Sequence, residues 1–384
     1  MRYDSARLAG FSESAEKRRA PFDGPFFLLT MLLLCVGVMM VLSASYPRAW
    51  YDPGHVTGGN AAYYFVRQMI FALLGVAAML AASRLPMELY RRAAFPFLGL
   101  TFALLMLVPV IGVKANGSRR WLGVGGLTLQ PSELAKLAVI LSFAVLICRY
   151  GERMRSFKKG ILPFAAILAA FVGLLILEPH FSASIILLAI GAVMLFLGGV
   201  RMAWFTGAFC AAAGGITLLF TLFPYASSRI NTWRDPFSDT SDRGYQIVQS
   251  LYTIGSGGLS GLGLGGSRQK FLYLPEEHND FIFSVVCEEL GFIGAALILC
   301  LFALLILRGF WIAFHCPDRF SFLVVSGVTS LLAIQVFLNV AVVTNLLPCT
   351  GISLPLFSYG GTALLIQLFE LGIVLSASRD IPVH

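Results

Sequence analysis

Apolar runs of roughly 17 to 25 residues, each long enough to cross a hydrocarbon core of about 30 Å as a helix, recur along the whole 384-residue chain. The pattern predicts ten helices. They cover Pro25 to Tyr46, Ala62 to Ala82, Ala94 to Val113, Ser132 to Cys148, Gly160 to Leu177, Ser182 to Gly199, Trp204 to Phe223, Asp280 to Leu307, Phe320 to Leu346 and Leu356 to Ser376. The fold class is therefore an all-α polytopic membrane protein, with a transmembrane domain over residues 25–376, a basic tail over 1–24 and a short tail over 377–384. The polar intervals are unequal, and irregular backbone in a membrane protein is tolerated where it is buried or lines a cavity. Two intervals stand out: Lys114 to Gln130, expected to be an interfacial re-entrant or amphipathic piece, and Pro224 to Asn279, a connection long enough to be functional.

Composition agrees: 58% hydrophobic and 12% charged residues lie far from a soluble domain, where about a quarter of residues are charged. The net charge of +8 comes from Lys and Arg scattered over short loops, which suits orientation and lipid headgroups and argues against a nucleic-acid partner. Short cytoplasmic loops keep positive charge. With the tail cations Arg2, Arg7, Lys17, Arg18 and Arg19 inside, 17 of the 28 basic residues fall inside and 11 outside or near the outer face, and an even helix number puts both termini in the cytoplasm. The seven cysteines show no CxxC or Cys/His spacing, so neither a disulfide framework nor a zinc site is indicated.

Candidate chemistry sits where polar loops meet apolar runs. In Tyr273-Leu-Pro-Glu-Glu-His-Asn-Asp280 the long loop ends on Asp280 at a membrane boundary, where a carboxylate is expensive and suspect as a functional group. A helix cap is its plain alternative. Glu133 and Lys136, three residues apart at the start of the fourth helix, share one face and read equally as an ion pair or as cavity residues. Glycine-rich backbone from Gly255 to Gly266, beside Arg268 and Lys270, could cradle a phosphate but matches no nucleotide-binding pattern. Gln335 and Asn339, at i, i+4 spacing, more often mean interhelical hydrogen bonds. Glu370 needs a partner that the sequence does not identify.

Gly117-Ser-Arg-Arg-Trp-Leu122, Gln130 to Lys136, Gly244-Tyr-Gln246, the glycine run, Leu274 to Phe283 and Thr350-Gly351 through Ser358-Tyr-Gly-Gly361, in this order, resemble the SEDS family of peptidoglycan polymerases, which includes FtsW, RodA and SpoVE. The Tyr-Leu-Pro-Glu form at Tyr273 looks more like the FtsW and SpoVE branches. The resemblance implies a glycosyltransferase that polymerises lipid II at the outer face of the bacterial cytoplasmic membrane, at the septum or in sporulation, with Asp280 as general base and release of undecaprenyl diphosphate. Substrate contacts would come from Glu133, Lys136, Arg119, Arg120, Arg229, Arg234, Arg243, Arg268, Lys270 and His278, with Lys136 the first candidate for the cation paired to Asp280. A divalent cation, magnesium or manganese, could bridge the diphosphate. Implied partners are a class B penicillin-binding protein, other divisome or sporulation membrane proteins, and membrane lipids. A lipid II flippase is the competing reading. One departure is Glu178-Pro179-His180, where many relatives carry Gln-Pro-Asp.

Overall fold

The computed structural model describes residues 21–51, 56–115, 118–124, 127–207, 233–238 and 244–382. Ten α-helices of eight or more residues are labelled among them: α1 (Gly24–Tyr51), α2 (Tyr63–Arg84), α3 (Met87–Ile111), α4 (Pro131–Tyr150), α5 (Leu162–Leu177), α6 (Phe181–Leu197), α7 (Tyr245–Ser256), α8 (Ile282–His315), α9 (Arg319–Val343) and α10 (Gly361–Ser378). Eight helices here are long and apolar enough to cross a membrane, and α6 is a shorter apolar one. The chain is a multi-pass membrane protein. Of the predicted seventh helix, Trp204 to Phe223, only the start lies within the described residues, with 202–207 helical.

Sequence signals set the ends of several helices. Pro131 opens α4, where its missing N–H costs nothing. Asp318 caps α9 by accepting from Ser321 N at 2.9 Å, satisfying one of the orphan donors of the first turn. α4, α9 and α10 are buried along most of their length, whereas α2, α3 and α5 turn many apolar residues outward, as lipid-facing helices must. α1 and α8 are pinned to each other at two levels. Arg308 holds Asp23 through Nε and Nη2 (2.7 Å for the shorter contact), and Ser43 donates to Glu289 at 2.7 Å. About twenty residues of α1 separate the two levels, some 30 Å at 1.5 Å per residue, which matches the hydrocarbon thickness.

The described residues of the segment from Lys114 to Gln130, expected to be an interfacial re-entrant or amphipathic piece, are mostly extended. Most lie within a small antiparallel sheet of β1 (Val113–Ala115), β2 (Ser118–Val124) and β3 (Leu127–Leu129), in the order β1-β2-β3. Lys114 pairs with Arg119 and Gly123 with Thr128. In the sequence, Asn-Gly at 116–117, the strongest short-range hairpin signal, and Gly-Gly at 125–126 each stand between alternating segments.

The glycine run also has a structural use. α8 departs from helical geometry at Gly291 (φ 67°, ψ −173°), which frees backbone groups that the membrane cannot solvate. The run satisfies them: Leu262 N donates to Glu288 O (2.9 Å), Gly263 N to Glu289 O (3.0 Å), Phe292 N to Gly258 O (2.9 Å) and Ile293 N to Leu259 O (3.1 Å). A Cβ at Gly291 would stand 2.3 Å from Gly261 N, so the two backbones can meet only without side chains. These glycines serve the splice into α8, and none of them lines the main cavity.

Candidate active site

At one end of the bundle the β-sheet, the start of α10, the α5–α6 junction and the loop before α8 enclose a cavity of about 420 Å³. Its polar lining includes Asp280, Glu276, Arg120, Arg67, His180 and Gln130. Asp280 is half-buried just before α8. Its backbone is fixed by Asn339 of α9, whose Nδ2 donates to Asp280 O at 2.9 Å and to Ile352 O at 2.6 Å. The same loop is stitched to the irregular segment before α10: Ser358 Oγ donates to Asn279 O (2.8 Å) and Tyr359 N to His278 O (2.9 Å). Two loops thus make one rigid wall, which is what a reacting group needs.

Burial pushes the Asp280 carboxyl up to about 6, and repulsion from Glu276 adds to it, while Arg120 and His278 pull it back. A carboxylate poised near neutrality is the form suited to general-base work. Arg120 reaches this cavity because it sits on a strand. Successive strand residues face opposite ways, and Arg119 is turned instead toward Pro109 O and Val110 O, at 3.3 and 3.5 Å. Burial lowers the Arg120 guanidinium and the charges of Asp280 and Glu178 raise it, well within the range where it stays cationic.

Of the other candidates, His278 is buried behind the wall, between Tyr64 and Tyr359 with ring centroids 4.7 and 5.7 Å away, and its Nδ1 lies 3.6 Å from Glu277. Burial alone would raise Glu277, yet His278 and Arg48 hold it below the usual carboxylate range. Lys136 does not line the cavity: it pairs with Glu133 at 2.6 Å. The cations that share the cavity with Asp280 are Arg120 and Arg67. Lys270 is buried against Glu289 (2.8 Å), Ser43 (3.0 Å) and Gly265 O (2.9 Å), and Arg268 and Arg234 are exposed away from the cavity. Arg229 and Arg243 lie outside the described residues.

Sequence reasoning passed over Arg67, Gln130, Gly351 and Tyr359 as cavity residues. Arg67 had a signal, being a lone cation in the first turns of the apolar α2. It packs over the Tyr63 ring at 5.4 Å and donates to its hydroxyl at 2.6 Å. Among the described residues no group of three or more His, Cys, Asp or Glu side chains could hold a metal; Asp280 and Glu276 are the two carboxylates at the cavity.

The family model described as cell cycle protein, FtsW/RodA/SpoVE, matches residues 25–381. The chain belongs to this family. Stage V sporulation protein E of Bacillus subtilis (strain 168) is 40% identical over 365 residues, covering 94% of this chain and 98% of its own. A probable peptidoglycan glycosyltransferase FtsW of Trichlorobacter lovleyi is 39% identical over 366 residues, 95% of each chain. Among solved structures, a chain of a peptidoglycan synthase complex that coordinates polymerization and crosslinking superposes with a TM-score of 0.78 at 30% identity, covering 94% of this chain and 98% of that one. The rod shape determining protein RodA of Thermus thermophilus gives 0.68 at 30% identity, with the same coverage. The FtsW/RodA/SpoVE assignment thus rests on the whole described bundle.

Proposed function

We propose that this chain is a peptidoglycan glycosyltransferase that polymerises lipid II, with Asp280 as general base. One observation carries the reading: a carboxyl poised near neutrality shares a polar cavity with Arg120 and Arg67 in a chain whose relatives are named probable peptidoglycan glycosyltransferases. The carboxylate of Asp280 takes the proton of the acceptor sugar hydroxyl as its oxygen bonds to the anomeric carbon of the donor. The bond from that carbon to the diphosphate breaks, and the electron pair leaves with undecaprenyl diphosphate. Diphosphate departs readily when its charge is met, which is the work of Arg120 and Arg67. Asp280 and Glu276 are the side chains that would hold a magnesium or manganese ion, whose chemistry would be to neutralise the leaving diphosphate.

In this reading both termini are cytoplasmic and the cavity opens at the outer face of the membrane, as the basic tail supports, with the septum as the site of action. A class B penicillin-binding protein supplies crosslinking, a pairing favoured by the likeness to a chain from a synthase complex. Purified protein with that partner should convert lipid II to glycan strands, and Asp280→Asn should abolish product while lipid II still binds. Polymer made by Asp280→Asn would overturn the assignment; lipid II crossing vesicles without polymer would indicate a flippase instead.

A further inference from the structure

Beside Arg120 the cavity has a second wall whose other groups the base and the diphosphate contacts leave unused. β2 brings Arg120 to its edge, and the junction between α5 and α6 brings His180, with Glu178 buried beside them. Three buried atoms here, Arg120 Nε, Glu178 Oε1 and His180 Nδ1, have no hydrogen-bond partner among the described residues. Unpaired buried polar groups cost about 1–3 kcal/mol each, so three in one place point to a ligand surface. The groups are nevertheless held. Arg120 Nη2 donates to Pro179 O at 2.6 Å, and Gln130 Nε2 lies 3.5 Å from His180 Nε2, leaving Nδ1 as the open ring position. His180 is only 7% exposed, yet it lines the cavity.

Burial, then the charges of Arg120 and Lys136, push the His180 imidazole down to about 3, so it is neutral at working pH. A neutral ring has nothing to offer a diphosphate in charge. It suits an uncharged hydroxyl or amide, and the surrounding Gln130, Thr128, Ser353 and Thr362 are uncharged polar groups of the same kind.

Resting on the glycosyltransferase reading, we propose that His180 is a sugar-recognition residue, hydrogen-bonding a hydroxyl or amide of the substrate saccharide through Nδ1 while Arg120 beside it takes the diphosphate. The test is the affinity of the full-length chain in nanodiscs for lipid II and for undecaprenyl diphosphate, which lacks the sugar. His180→Phe, which keeps the ring volume without ring nitrogens, should bind lipid II about 3- to 10-fold more weakly, the range of one neutral hydrogen bond. It should bind undecaprenyl diphosphate unchanged. His180→Asn, which places an amide near Nδ1, should recover most of the loss, and melting curves of both variants check folding. If His180→Phe does not fold, His180→Asn is compared with His180→Leu in the same way. Equal losses for the two lipids, no loss for lipid II, or an Asn variant no better than the apolar one would overturn the proposal. Turnover enters neither affinity, so a chain that binds lipid II but makes no polymer defeats the glycosyltransferase reading while His180 is still judged on binding.

Discussion

The carboxylate of Asp280 lies against Gly351: a Cβ at residue 351 would stand 3.0 Å from Asp280 Oδ2. Gly351 also holds φ at +65°, where a side chain costs about 1 kcal/mol or more. Gly351→Ala should therefore push the carboxylate by a few tenths of an ångström and strain the turn. Misplacing a reacting group by about 1 Å can cost about 100-fold in rate, so a loss of roughly 10-fold or more in polymerisation is expected, with lipid II affinity nearly unchanged. Full activity of Gly351→Ala would show that this contact does not aim the base.

Asn339 grips the same carboxylate's backbone from the other side. Its amide bridges Asp280 O and Ile352 O, so Asn339→Leu leaves two carbonyls without this donor and separates the two loops of the wall. We expect a destabilisation of about 1–3 kcal/mol and a drop in kcat larger than the change in KM. A variant that melts lower yet keeps wild-type kcat would mark Asn339 as structural only.

As the proposed general base, Asp280 should give polymerisation a pH dependence of defined sign. Below about 6 the carboxyl is protonated and cannot accept a proton, so the rate should rise as pH climbs through 6 and level off above it. Stability runs the other way. The folded value lies above the unfolded value near 3.8, so the folded state binds the proton more tightly, and that contribution is lost as pH rises through 6. Asp280→Asn should then melt higher than wild type at pH 8, by roughly 1–2 kcal/mol after allowing for partial exposure, with the gap closing near pH 4. Glu178, raised by burial to about 7 and drawn back by Arg120, titrates in the same range. Glu178→Gln should keep a rate limb near 6; a limb that vanishes with Glu178 would reassign it.

Much of this was legible in the residues. Hydrophobic runs found the spans because lipid permits little else than closed helices, and Asp280 was visible as a charge in an expensive place. Lys136 was misplaced as its partner because i, i+3 spacing shows a shared face, not what that face meets; Glu133 had already taken it. Arg119 and Arg120 could be told apart only with β2 recognised, since period-two alternation sends one away from the cavity. Asn339 read as an interhelical hydrogen bond, and its acceptors turned out to be loop carbonyls more than a dozen residues away in sequence, which no local pattern encodes.

Lys270 looked like a diphosphate ligand and is instead buried with Glu289. Removing one partner of such a pair strands the other charge, at about 3–5 kcal/mol, whereas replacing both with apolar groups is often neutral. Lys270→Met should therefore lower the melting temperature sharply, and Lys270→Met with Glu289→Leu should recover most of it, although Ser43 loses its acceptor. The double variant should still bind undecaprenyl diphosphate. Loss of that binding in a well-folded double variant would return Lys270 to the substrate site.

Glu370 is the charge that the sequence left without a partner, and the structure supplies half of one. Its side chain is buried, lies within electrostatic reach of Lys136 and Glu133, and keeps Oε1 without a hydrogen bond among the described residues. Two carboxyl groups thus face one ammonium, and Glu133 holds it at 2.6 Å. The space beside Glu370, lined also by Gln335 and Gln367, is about 10 Å³, roughly one water, and is separate from the cavity of Asp280. Glu370→Gln replaces a buried ionisable group with a neutral one at nearly constant shape, so it should leave polymerisation intact and raise stability by about 1 kcal/mol or more. Lys136→Met should do the opposite by stranding the Glu133 carboxylate, and Glu133→Gln with Glu370→Gln in that background should restore the fold. A Glu370→Gln protein that folds normally but makes no polymer would show that this carboxyl takes part in the reaction.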